Sequence, residues 1–166
     1  MTIVRSIRSH IISSPYLTLP PFIQNDEILR TFRQLCIMLW VTPDDDFDGA
    51  DGLFAIATMS FEGVEDKTLH PLFPAFVRND IINAYGTNLV LERIYQSLNR
   101  SDELGAGLRL SFFVGTINVL ICPDFWPYLS EQKIFPALAY AMNQHLEEYP
   151  VEDDEADLLS HLLKLA

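Results

Sequence analysis

Apolar residues recur at helical spacing over most of the chain. Between Asp26 and Val41 they fall at Ile28, Leu29, Phe32, Leu35, Cys36, Leu39 and Trp40, a wide apolar face with Arg30, Arg33 and Gln34 on the wet side. Asn25 or Asp26 is suited to cap this helix, Asp26 and Glu27 suit its positive end, and Pro43 stops it. The stretch LFAIATMSFEG, starting at Leu53, is apolar nearly all round, which predicts a buried helix with a buried strand as the alternative. EDKTLHPLFP reads as loop, its Pro71 and Pro74 opposing continued helix. A short helix is predicted over Asn79–Ala84, ending at Gly86. Thr87 or Asn88 then caps LVLERIYQSL, with Leu91, Ile94, Tyr95 and Leu98 on one face, before the turn region NRSDELGAG.

The segment LRLSFFVGTINVLIC is two-sided in its pattern. Leu108, Leu110, Phe112 and Val114 alternate, as do Ile117, Val119 and Ile121, and Gly115-Thr116 would fit a two-residue hairpin turn. Helix is preferred, because every neighbouring element is helical and an isolated hairpin is marginal without a third strand. Pro127 and Pro136 suit the first turns of successive helices. In the second of these, Leu138, Ala139, Met142, His145 and Leu146 form a stripe ending at Tyr149-Pro150. At the start of the chain, Ile3, Val4, Ile7, His10 and Ile11 outline an amphipathic helix, followed by the proline-rich connector SSPYLTLPPF. At the other end, the acidic hinge VEDDEAD leads to a helix over Leu158–Leu165. The expectation is one domain, residues 1–166, built as a mainly α helical bundle. The alternative is an α+β fold with a buried hairpin around 108–122.

Charge changes this picture more than composition does. The net charge is −12, and twelve of the twenty-three acids lie in two short stretches, five in Asp44–Asp51 and seven in Glu147–Asp157. Such a field repels phosphate backbones, disfavouring direct nucleic-acid binding, and attracts basic surfaces. The uncharged run Leu110–Pro123, fourteen residues, is too short to span a bilayer. Cys36 and Cys122 both lie in apolar stretches and make no disulfide framework, so a reducing cytoplasm is the expected location. The first 25 residues hold Arg5, Arg8, His10, four serines and no acid, a composition shared with mitochondrial presequences; the segment is read here as retained.

Among candidate chemistries, DDDFDGADG comes first. Asp44, Asp46, Asp48 and Gly49 occupy the places of positions 1, 3, 5 and 6 of an EF-hand loop, which this window resembles over six residues. That resemblance implies calcium held by Asp44, Asp46 and Asp48. The closing Glu of the family is absent: Ala55 stands at position 12, and Asp51 occupies position 8. The opposing reading is an acidic turn without metal, where Gly49 and Gly52 permit positive φ. His10, His70, His145 and His161 show no metal-ligand spacing, and His145 with Glu148 is read as a surface pair. Ser111, Ser130 and Ser160 sit in no nucleophile elbow, and no phosphate-binding glycine motif occurs. The prolines at 123 and 127 stiffen a segment holding Phe125, Trp126 and Tyr128. Buried, these are core; exposed, they make an anchor.

No catalytic motif is complete, and no cofactor is expected. The expectation is therefore a protein-binding module, an inhibitor of the immunity-protein type that neutralises a basic partner such as a nuclease toxin by covering its substrate-binding surface. The residues assigned to the partner are Asp44, Asp45, Asp46, Asp48, Asp51, Glu152, Asp153, Asp154, Glu155, Asp157 and Trp126. Two alternatives stand beside it: a calcium-binding module using the half-loop, and an enzyme whose residues converge only in three dimensions.

Overall fold

The structure, a computed structural model, describes residues 26–42, 50–59, 61, 72–129 and 133–149. The elements expected at Ile3–Ile11 and Leu158–Leu165 lie outside them. In chain order the helices are α1 (Asp26–Val41), α2 (Ala50–Met59), α3 (Phe73–Phe76), a π-helical stretch (Val77–Ile82) and α4 (Asn83–Tyr85). There follow α5 (Thr87–Leu98), a 3-10 turn (Ser101–Glu103), α6 (Ala106–Leu120), a 3-10 turn (Pro123–Phe125), α7 (Trp126–Leu129) and α8 (Ile134–Glu148). The fold is mainly α, with no strand among the described residues. Residues 108–120 are continuous helix, which removes the hairpin alternative.

The core centres on α2, which lies between α1 and α6. Its side chains Phe54, Ala55 and Ala57 are fully enclosed, as expected of a helix apolar nearly all round. Small residues set how closely it meets α6. A Cβ at Gly115 would overlap the Thr58 hydroxyl, and one at Gly52 would come within 2.7 Å of Leu108 Cδ2. Both glycines therefore serve close packing. Aromatic rings continue the core outward: Trp40 stacks on Phe54, with centroids 4.3 Å apart, and Phe54 meets Phe112 edge-on at 5.5 Å.

Several boundaries differ from the sequence reading. On α1 the buried side is Cys36, Ile37, Trp40 and Val41, whereas Ile28 and Leu35 are exposed, so the inward face is rotated toward α2. Pro74 lies in the first turn of α3 instead of opposing helix, since a proline there forfeits no intrahelical bond. The helix expected over Asn79–Ala84 begins earlier, through the π-helical stretch. Gly86, at φ 82°, then breaks the run and precedes α5, a backbone angle that glycine tolerates and other residues do not.

Candidate functional site

The sequence places Asp51 among exposed acids; the structure turns it inward. Its residue exposure is 7%, and it sits in the first turn of α2, where the helix dipole favours a carboxylate. Arg93 of α5 donates from Nη2 to Asp51 Oδ1 at 3.0 Å, and the Ser97 hydroxyl donates to the same oxygen. Arg100 donates to Oδ2 at 3.4 Å. Arg93 Nε also donates to the Trp40 carbonyl at 2.7 Å, and Trp40 Nε1 donates to Ser97 Oγ at 3.1 Å.

The arrangement answers a need at two helix ends. The Trp40 carbonyl belongs to the last turn of α1, which has no basic residue of its own, and Arg93 supplies the missing donor and charge. Asp51 does the converse for α2. One buried ion pair thus joins the negative end of α1 to the positive end of α2. Burial lowers the pKa of Arg93, and the Asp51 charge opposes that shift. This is a structural clamp, and Asp51 is accordingly removed from the set of residues facing a partner.

Arg109 makes a second clamp at the start of α6. It is buried, yet its guanidinium reaches Glu148 Oε2 at 2.7 Å and the carbonyls of Asp102 at 2.9 Å and Leu104 at 3.3 Å. The Tyr149 ring lies beneath it, with its centroid 5.6 Å away. The C-terminal end of α8 and the Ser101–Glu103 turn are thereby drawn together, bringing Asp102, Glu103, Glu147 and Glu148 to one end of the molecule. His145, read from the sequence as a surface partner of Glu148, is instead buried, edge-on to Phe113 at 5.9 Å and tilted against Tyr149 at 5.2 Å. Glu148 is committed to Arg109.

The aromatic segment divides by face. Phe125 and Leu129, four residues apart, are buried, while Trp126 is 60% exposed and Tyr128 and Ile121 are also exposed. Beside them the Cys122 thiol donates to Asp124 Oδ2 at 3.1 Å, and Arg78 reaches the same oxygen at 3.4 Å. Burial, then that hydrogen bond, raises the Cys122 pKa; the same bond, then Arg78, lowers that of Asp124.

Of the remaining assigned residues, Asp44, Asp45, Asp46, Asp48, Glu152, Asp153, Asp154, Glu155 and Asp157 lie outside the described residues. Among those described, no group of three or more His, Cys, Asp or Glu is placed to hold a metal ion, and no single helix is long and apolar enough to cross a membrane. The residues missed from the sequence are Arg93, Ser97 and Arg109. A signal existed for the first two: Val90, Arg93, Ile94 and Ser97 recur at the spacing of one helix face, and that face is buried.

Fold and charge together define a class: a mainly α-helical, acidic chain whose described arginines are held by internal partners. Every arginine among the described residues is engaged by the chain: Arg30 with Asp80, Arg78 with Asp124, Arg93 and Arg100 with Asp51, Arg109 with Glu148, and Arg33 over the Phe61 ring. Within that class the chain matches no protein-family model, and it has no significant match among curated proteins or solved structures.

Proposed function

We propose that this chain is an acidic protein-binding module of the inhibitor type, which neutralises a basic partner such as a nuclease toxin by covering that partner's substrate-binding surface. The observation that carries the reading is a group of exposed acids that the chain's own arginines do not pair with. Each internal pair sets one carboxylate against one or two arginines, and Asp102, Glu103 and Glu147 are exposed and take part in none of these pairs. Asp102, Glu103 and Glu147 lie exposed at the end organised by Arg109, a few residues before the Glu152–Asp157 run. An anionic surface of this kind mimics the charge of a phosphate backbone and accelerates encounter with a cationic site.

The test is co-purification of the full chain with the product of the gene adjacent to its own, at low and high salt. A variant carrying Asp102→Lys, Glu103→Lys and Glu147→Lys is run alongside; Glu148 is spared because Arg109 depends on it. The expected result is a salt-sensitive complex, weakened by charge reversal, in which the partner's activity is blocked. A complex indifferent to both salt and reversal, or no basic partner at all, would overturn the reading.

A further inference from the structure

The segment Pro123–Leu129 presents an exposed tryptophan, Trp126, on a backbone stiffened by proline. Pro123 and Pro127 fix the backbone on either side of Trp126, and the buried Phe125 and Leu129 pin the segment to the core. The indole is thus held outward on a stiff support, so little further ordering is needed when something binds it. Ile121 and Tyr128 extend the exposed surface.

Resting on the reading above that the partner is basic, we propose that Trp126 is the anchor of the complex and receives an arginine side chain of the partner against its ring face. Three observations select that occupant. An indole face is the best π acceptor for a cation that proteins possess. The chain uses the same contact itself, with the Arg33 guanidinium carbon 3.5 Å from the Phe61 centroid and Arg109 over Tyr149. No arginine or lysine among the described residues is stacked on Trp126. The nearby cation Arg78 is held on Asp124, so the turn carries no local excess of positive charge to repel the incoming group. The net charge of −12 supplies attraction at long range. Steering and anchoring are then divided between the acidic end and the aromatic turn.

The experiment uses the full chain labelled with 5-fluorotryptophan, which gives one fluorine resonance for the exposed Trp126 and one for Trp40, fully buried at 0%. The probe is a short arginine-serine peptide at low salt, compared with an uncharged leucine-serine peptide of equal length and with zwitterionic lipid vesicles. The arginine peptide is expected to shift the Trp126 resonance and leave Trp40 in place. Trp126→Ala should weaken peptide binding about 5- to 30-fold, and Trp126→Phe by less. Peptide binding with an unmoved Trp126 resonance and an unweakened alanine variant overturns the anchor alone and leaves the basic-partner reading standing. No salt-sensitive peptide binding overturns both. An equal response to the leucine peptide or the vesicles overturns the cationic occupant.

Discussion

Asp51 is the residue whose replacement tests the internal clamp most directly. Truncation to alanine removes the acceptor of Arg93, Ser97 and Arg100 together. The Arg93 side chain, 5% exposed, is then left with the Trp40 carbonyl and a long contact to Gln96, and its charge has no counter-ion in a desolvated site. Breaking a buried pair from one side costs about 3–5 kcal/mol. For a chain of this size that corresponds to a fall in Tm of about 6–20 °C. Asp51→Asn keeps an acceptor but loses the charge, so its cost falls lower, about 1–3 kcal/mol. The double variant Asp51→Leu with Arg93→Met should recover much of the loss, because an apolar pair of similar volume carries no desolvation penalty. Denaturant unfolding followed by circular dichroism reads all of these from the midpoint at constant slope. Partner affinity per folded molecule is expected to be unchanged, because Asp51 faces inward. An alanine variant within about 1 kcal/mol of the parent would refute the clamp, and a selective loss of partner affinity at full stability would return Asp51 to the docking surface.

Three further outcomes follow from packing and burial. Gly115→Ala should destabilise by about 1–3 kcal/mol, since the new methyl meets a Thr58 hydroxyl held in place by bonds of 2.9 and 3.0 Å to the Phe54 and Ala55 carbonyls; Gly52→Ala should cost less, its obstacle being the mobile end of Leu108, and calorimetry of both variants checks the order. Burial pushes the Cys36 thiol from its ordinary 9.0 up to about 12, so between those values the folded chain binds more protons than the unfolded one and stability falls as pH rises. The slope approaches about 1.4 kcal/mol per pH unit; Cys36→Ala should flatten it, and an identical pH profile for parent and variant would contradict the assignment. Glu148→Gln should destabilise by about 1–2 kcal/mol, less than Asp51→Ala, because Glu148 is 46% exposed and water reaches the site when the pair is broken; equilibrium unfolding of the two variants side by side tests the ranking.

How much was legible in the sequence depended on how local the cause was. Helices α1, α5 and α8 announce themselves through apolar residues at helical spacing, and the caps and prolines bound them to within a few residues; α2, apolar nearly all round, is legible only as a buried element whose pattern leaves a strand open. The inward face of α1 was less legible: Ile37 and Val41 go inside and Ile28 and Leu35 do not, because that face is set by α2 as main neighbour, with α5 and the π-helical stretch beside it. Asp51 was misplaced for a stronger reason. It belongs to an acidic run that looks solvated, and the arginine that draws it inward is 42 residues away along the chain. Nothing near Asp51 in sequence distinguishes it from Asp48. Residues 108–120 are helical although their alternation fits a strand equally well, since a helix buried on nearly every side has no polar face to mark its period. The sequence alone allows Trp126 as core or as anchor, and only the buried positions of Phe125 and Leu129 decide which face of that short turn points out.

The two buried arginines tie stability to surface charge. A chain with a net charge of −12 repels itself, and compaction brings those charges closer. Placing Arg93 and Arg109 on the surface would relieve this repulsion, but it would also dilute the anionic field. Inside, Arg93 meets the end of α1, which has no basic residue in its last turn, and Arg109 ties the Ser101–Glu103 turn to Glu148 of α8, so the positive charge is used where solvent and salt screen it least. Salt should therefore act in opposite senses on the two properties. It screens repulsion between exposed carboxylates and leaves the buried pairs largely untouched, which favours the folded state. The same screening would remove the long-range attraction toward the proposed basic partner.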